Sequence, residues 1–153
     1  MKFIYLILIL AGFTACTPEV EPISFGNDDC SYCKMTIVDQ RYGAELLTTK
    51  GKVYKYDAIE CMINAMCDNA HNESKNLHSA YFIDFSNPGM LINVLESKVL
   101  YSKDMPSPMG EYLTGFKNNE EAMKFLDDYD GKIHAWEGVY LRIVGNRTCQ
   151  HDF

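Results

Sequence analysis

From Ala44 onward the chain alternates between short runs with strand periodicity and stretches in which apolar residues return every three or four positions. The segment AELLTTKGKVYKYD predicts a hairpin: a strand over Ala44 to Thr48, a turn at Lys50-Gly51, and a return strand carrying Val53, Tyr54 and Tyr56. Ile59, Met62, Ile63 and Met66 then recur at i, i+3, i+4 and i+7, which places one face of a helix in the core. Asp57, with Glu60 three residues later, has the form of a capping box for that helix. SAYFIDF reads as a buried strand ended by the breaker Asn87-Pro88-Gly89, and KVLYS as a further strand.

The second half repeats the order. Prolines at 106 and 108 forbid a helix in DMPSPMGEYLTGF, so this stretch predicts a rigid exposed loop leading to a strand at Tyr112 to Phe116. Asn118 with Glu121 forms a second capping box. Ala122, Phe125, Leu126 and Tyr129 follow at helical spacing, and Gly131 stops the helix. KIHAWEGVYLRIV closes the fold with strand-like or mixed character. Two strand–cap–helix–strand units result, with KVYKYDAIECM and EYLTGFKNNEEAM in equivalent places. Aligning the caps and aligning the apolar stripes give different offsets, so a shared architecture is better supported than a residue-level repeat. The fold class is α+β, with the two units covering approximately residues 30–86 and 90–153.

The amino terminus changes the setting. Lys2 is followed by the apolar run FIYLILILAGF, too short against the ~20 residues of a spanning helix and typical of a signal peptide over residues 1–15. Phe13-Thr14-Ala15-Cys16 resembles a bacterial lipoprotein signal, which makes Cys16 the lipidated first residue of the mature chain, facing the periplasm or another extracytoplasmic space. Residues 16–29 hold prolines, a glycine and several carboxylates and read as an extended tether from membrane to domain. Cleavage would remove one lysine and leave 13 Lys and Arg against 21 Asp and Glu, a formal charge of −8. Such a balance excludes nucleic acid as a partner, because it offers no counterion-release drive toward phosphate.

Of six cysteines, Cys16 goes to lipid and five remain, an odd number that cannot all pair internally. Two of them lie in Asp28-Asp29-Cys30-Ser31-Tyr32-Cys33-Lys34-Met35. Two thiolates separated by two residues can reach one ion from a turn, and in an extended segment Cys33 and Met35 project to the same side. Thiolate with thioether is a soft donor set that suits Cu(I), while zinc rarely uses methionine. A thioredoxin-type redox pair, a structural disulfide and half of a zinc site are the alternatives. The redox reading expects a strand before the pair and a helix after it, and none is predicted there. Asp28 and Asp29 disfavour a reactive thiolate, and Lys34 pulls the other way.

The second soft feature is MPSPMG, where Met109, and additionally Met105, are candidate ligands fixed by prolines in a segment too polar to be core. Met62, Met66 and Met123 lie on or beside helical faces and are expected in the core. Cys61 and Cys67 are six apart, too far along a continuous helix for a disulfide, and read as buried thiols. Cys67 with His71, and Cys149 with His151, have weak metal-pair spacing, and Cys149 could pair with another cysteine. His78 and His134 are isolated. No Ser-His-Asp arrangement or phosphate-binding glycine loop is present.

The lipoprotein cysteine, the D-x-C-x-x-C-x-M sequence at Asp28 to Met35 and the downstream SPMGEYLTGFKNNEEAMKF together resemble the NosL family of copper-binding lipoproteins, which serve nitrous-oxide reductase maturation. The resemblance spans nearly the whole mature chain. It implies a fold of two small ββαβ-like units packed together and related to organomercurial lyase, Cu(I) as cargo, and ligand roles for Cys30, Cys33, Met35 and Met109. It also implies partners: a copper-delivery ABC transporter complex with its periplasmic adaptor and, through it, nitrous-oxide reductase. The expected function is copper delivery without catalytic turnover, with thiol–disulfide oxidoreduction at Cys30 and Cys33 as the rival and lyase-like cleavage of a carbon–metal bond as a remote third. Lys34 departs from the family's usual glycine, and costs ~1 kcal/mol or more if the loop still needs positive φ there.

Overall fold

The computed structural model describes residues 19–68, 76–145 and 149 of the chain. β1 (Ala44–Thr48) and β2 (Val53–Tyr56) form the expected hairpin, with Ala44 opposite Tyr56 and Leu47 opposite Val53. At its turn the Thr48 hydroxyl accepts the Lys52 N–H at 2.9 Å. The helix α1 (Ile59–Cys67) follows, and the predicted stripe Ile59, Met62, Ile63 and Met66 is buried throughout. β3 (Leu77–Ile83) then pairs antiparallel with the free edge of β1. A short β4 (Leu91–Asn93), unforeseen because three residues are too few to show alternation, extends the sheet to the order β2-β1-β3-β4.

β5 (Lys98–Tyr101), β6 (Leu113–Phe116), α2 (Asn119–Phe125) and β7 (Lys132–His134) repeat this plan as a second antiparallel sheet of order β6-β5-β7. In both units the first strand is central and the strand after the helix pairs with it from the far side. Val53 and Leu113, Tyr56 and Phe116, and Ile59 and Asn119 correspond at one constant offset. The caps gave a different offset because α1 starts one residue later than the capping-box pattern predicts. A last helix, α3 (Trp136–Val144), occupies much of the segment expected to be mixed and packs on α1.

Four local expectations need correction. Ala58, not Asp57, is the N-cap of α1 and makes no side-chain cap bond, because Asp57 is itself buried and Glu60 is turned toward another loop. The second box does form: the Asn118 side chain accepts the Glu121 N–H at 2.9 Å. α2 ends at Phe125, and Met123 lies on its open side, 54% exposed, instead of in the core. Finally, the tether is shorter than residues 16–29. Ile23 is buried in the core, the Lys55 ammonium donates to the Pro22 carbonyl at 2.9 Å, and Gly26 N–H donates to Ile37 O at 2.8 Å.

The two sheets meet where β6 crosses β3. Phe85 N–H donates to Gly115 O at 2.9 Å, and a Cβ on Gly115 would lie 2.3 Å from the Phe82 ring. Only glycine permits that approach. The main core joins β1–β3 and α1 of the first unit with α3 and with Val99 and Leu113 of the second sheet, while Leu100, Met105, Phe116 and Ala122 form a smaller one under the second unit. Cys67 at the end of α1 is bonded to Cys149, which ties the carboxyl-terminal segment to that helix.

Candidate metal centre

The stretch from Gly26 to Ile37 folds as a small hairpin. Ile37 N–H donates to Asp28 O at 2.9 Å, Asp29 and Thr36 form a β-bridge, and the Thr36 hydroxyl donates to Asp29 Oδ1 at 2.8 Å. Cys30 through Met35 is its tip, closed by Cys30 N–H to Met35 O at 2.8 Å and Lys34 N–H to Cys30 O at 3.0 Å. This is neither the extended segment expected around Met35 nor the helix start of a thioredoxin-type pair. Lys34 takes φ 66°, the left-handed conformation that glycine would occupy at no steric cost, and its ammonium donates to Ser31 O at 2.7 Å.

Three contacts seat this tip on the first unit. Ser31 N–H donates to Lys55 O of β2 at 2.7 Å, the Lys55 ammonium pairs with Asp28 at 2.8 Å, and the Tyr32 hydroxyl donates to Asp68 beyond α1 at 2.7 Å. Cys30 is thereby driven inward until no part of it reaches solvent, while Cys33 stays half-buried.

Beside them lies a residue the sequence pattern did not mark as a ligand. Cys61, in the first turn of α1, is buried and unoxidised, and the sulfurs of Cys30, Cys33 and Cys61 all lie within 4.8 Å of one another. The odd cysteine count contained this signal. Once Cys67 and Cys149 pair, three thiols remain among the described residues. The i, i+6 separation of Cys61 from Cys67, which excluded a bond between them, also assigns them to different neighbours.

The electrostatics single out Cys30. The Cys61 thiol donates to it, and the backbone N–H groups of Asp57, Cys33 and Tyr32 add to that against the cost of burial, so its pKa falls to about 4. Cys33 is pushed up by burial, with Met35 N–H partly offsetting this. Cys61 is pushed up because its proton is held by the Cys30 sulfur and because it is buried. Neither Asp28 nor Asp29 is among the groups that set the Cys30 pKa: Lys55 pairs with Asp28, and Thr36 is bonded to Asp29. One preformed thiolate with two neutral thiols at its side can take a soft cation by releasing two protons.

The methionines divide. Met35 and Met109 are 48% and 40% exposed, while Met105 is buried with Leu100, Phe116 and Ala122 and anchors its loop by packing. Met109 sits in the turn Ser107–Gly110, where Gly110 N–H donates to Ser107 O at 3.0 Å. His78 is exposed and bonded to Ser79, and Cys16, His71 and His151 lie outside the described residues. Among the described residues no helix is long and apolar enough to cross a membrane.

Two sheets of the same ββαβ order, with three thiols converging at the foot of the first helix in a group that could hold a metal ion, describe a small α+β protein. The chain belongs to the NosL family, whose model matches residues 22–144. Among solved structures it is similar to the "copper chaperone NosL from Shewanella denitrificans", with 20% identity, 78% of this chain and 94% of that one covered, and a TM-score of 0.65. At that identity the likeness speaks for the fold. No curated protein matches the chain.

Proposed function

We propose that this protein binds Cu(I) through Cys30, Cys33 and Cys61, with the exposed thioethers of Met109 and Met35 as further soft donors, and passes the ion to an acceptor outside the cytoplasm without catalysing a reaction. The observation that carries this reading is the grouping of three sulfurs within 4.8 Å, with one already favoured as thiolate. Cu(I) accepts two or three soft ligands, whereas zinc sites usually complete four. Membership of the NosL family and the printed description of the similar structure point the same way. An extracytoplasmic setting is supported by the Cys67–Cys149 disulfide, a bond that reducing cytosol disfavours. On this reading Cys16 carries the lipid anchor, and the acceptor is reached through an ABC transporter complex and its adaptor, with nitrous-oxide reductase as the client.

Thiol–disulfide exchange is the second reading, favoured by the low pKa of Cys30. Against it stands accessibility. An attacking thiolate must meet its substrate, and Cys30 is fully covered, while a small cation can enter beside half-buried Cys33. Titrating the reduced protein with Cu(I) against a competing chelator tests the proposal. Loss of tight binding in Cys30→Ser and Cys61→Ser is expected; affinity unchanged in both, together with turnover on a disulfide substrate, would move the assignment to the oxidoreductase.

A further inference from the structure

Glu60 immediately precedes Cys61 in the first turn of α1 and is completely buried, yet it does not cap its helix. Its carboxylate accepts the hydroxyl of Ser107, from the far unit, in a short hydrogen bond. The Ser107 hydroxyl in turn accepts the Tyr112 N–H at 3.0 Å, and the Glu111 N–H lies against the same Glu60 carboxyl. Both flanks of the segment from Ser107 to Glu111 are thus held by one side chain. Tyr42 adds a second tie, its hydroxyl donating to Pro106 O at 3.2 Å. Between those flanks the backbone has little freedom: Pro108 restricts φ, Gly110 takes φ 79°, and Met109 lies between them with its side chain 40% exposed.

Burying a carboxyl with one oxygen lacking a partner among the described residues is costly, and an apolar residue there would serve stability better. Its cost is explained if the contact has a positional use. We infer that Glu60 is a positioning residue: through Ser107 it fixes the Met109-bearing turn of the second unit on the helical turn that carries Cys61, so that the thioether joins an ion held by the three thiols. This inference rests on the copper-site reading above. It extends that site across the junction of the two units and makes Glu60 the part that registers them.

The test is a double-mutant cycle on the full reduced chain, with Cu(I) affinity read by chelator competition and the number of sulfur neighbours by X-ray absorption. Met109→Leu and Glu60→Leu are each expected to weaken binding about tenfold and to remove one sulfur neighbour, and the double variant should be no weaker than Met109→Leu alone. Glu60→Gln, whose amide oxygen still accepts the Ser107 hydroxyl, should restore most of what Glu60→Leu loses. Should Glu60→Leu fail to fold, Ser107→Ala replaces it in the cycle. Effects of Glu60 and Met109 that add in full, or a Glu60→Leu protein with wild-type affinity and sulfur count, overturn the inference, as does a Met109→Leu protein that binds like wild type. Those results leave the thiol site standing; loss of the underlying reading would show separately, as wild-type binding insensitive to Cys30→Ser and Cys61→Ser.

Discussion

Cys61, in the first turn of α1, donates its thiol proton to the sulfur of Cys30 at the tip of a separate hairpin, and that bond is the largest influence holding Cys30 at a pKa of about 4. The two residues belong to different local structures, so only the packed fold makes the thiolate. Replacing Cys61 with alanine is therefore expected to raise the Cys30 pKa. In the metal-free reduced protein, thiolate absorbance that persists in the wild type at mildly acidic pH should disappear in Cys61→Ala. An unchanged titration would show that the backbone N–H groups suffice by themselves.

Lys34 holds φ 66° at the same hairpin tip. Substitution by glycine removes the steric penalty and sacrifices only a solvent-exposed bond to Ser31. Lys34→Gly should be neutral or raise stability by up to ~1 kcal/mol in denaturant unfolding, with the loop preserved. A clear loss would mean that the lysine contributes more through its ammonium than it costs through its backbone.

Cys67 and Cys149, separated by 82 positions, close a long loop. Replacing both by alanine should cost about 2–4 kcal/mol of stability, mainly by freeing the unfolded chain, while leaving Cys30, Cys33, Cys61 and Cu(I) binding intact. Equilibrium unfolding with and without the pair measures the first effect, and a chelator competition checks the second.

At the crossing of β3 and β6, Gly115→Ala would bring its Cβ to 2.3 Å and 2.5 Å from atoms of the Phe82 ring and 2.9 Å from the Ile83 carbonyl. The ring is itself packed and the carbonyl is backbone, so relief requires the sheets to part. A destabilisation of ~3 kcal/mol is expected, at the upper end of overpacking costs. A thermal midpoint equal to the wild type's would contradict this account of how the units join.

Glu45 occupies the central strand β1, fully buried, with burial pushing its pKa from 4.5 to about 7. The folded state therefore holds a proton that the unfolded chain releases between those values, and stability from this site falls as pH rises through that window. Ionisation in the folded state costs on the order of 3–3.5 kcal/mol. Cys30 titrates with the opposite sign, its contribution present at high pH and lost as pH falls toward about 4. The useful measurement is consequently a difference: unfolding of wild type and Glu45→Gln at pH 5 and pH 7.5 should show the variant gaining relative stability at the higher pH.

How much of this was legible in the chain depends on the range of the interaction. The β1–β2 hairpin, the apolar stripe of α1 and the Asn118 cap were readable because a turn, a period and a cap are each set within a few residues. The Cys30-Ser31-Tyr32-Cys33 motif was readable for the same reason. Glu60 misled because the capping-box pattern is local and the Ser107 hydroxyl that takes its carboxylate is not. Met123 misled because helical spacing names a stripe without saying whether anything covers it, and α2 is too short to bury more than Ala122 fully.

By itself the sequence determined the α+β alternation, the repeated strand–helix–strand order and the presence of soft sulfur donors, all consequences of side-chain period and residue chemistry along a short stretch of backbone. Tertiary structure decided which sulfurs meet. It sent Cys67 to Cys149, brought Cys61 beneath the hairpin tip, buried Met105 and left Met109 exposed. Those outcomes depend on how sheets and helices pack, and packing joins residues whose separation along the chain carries no trace of their distance in space.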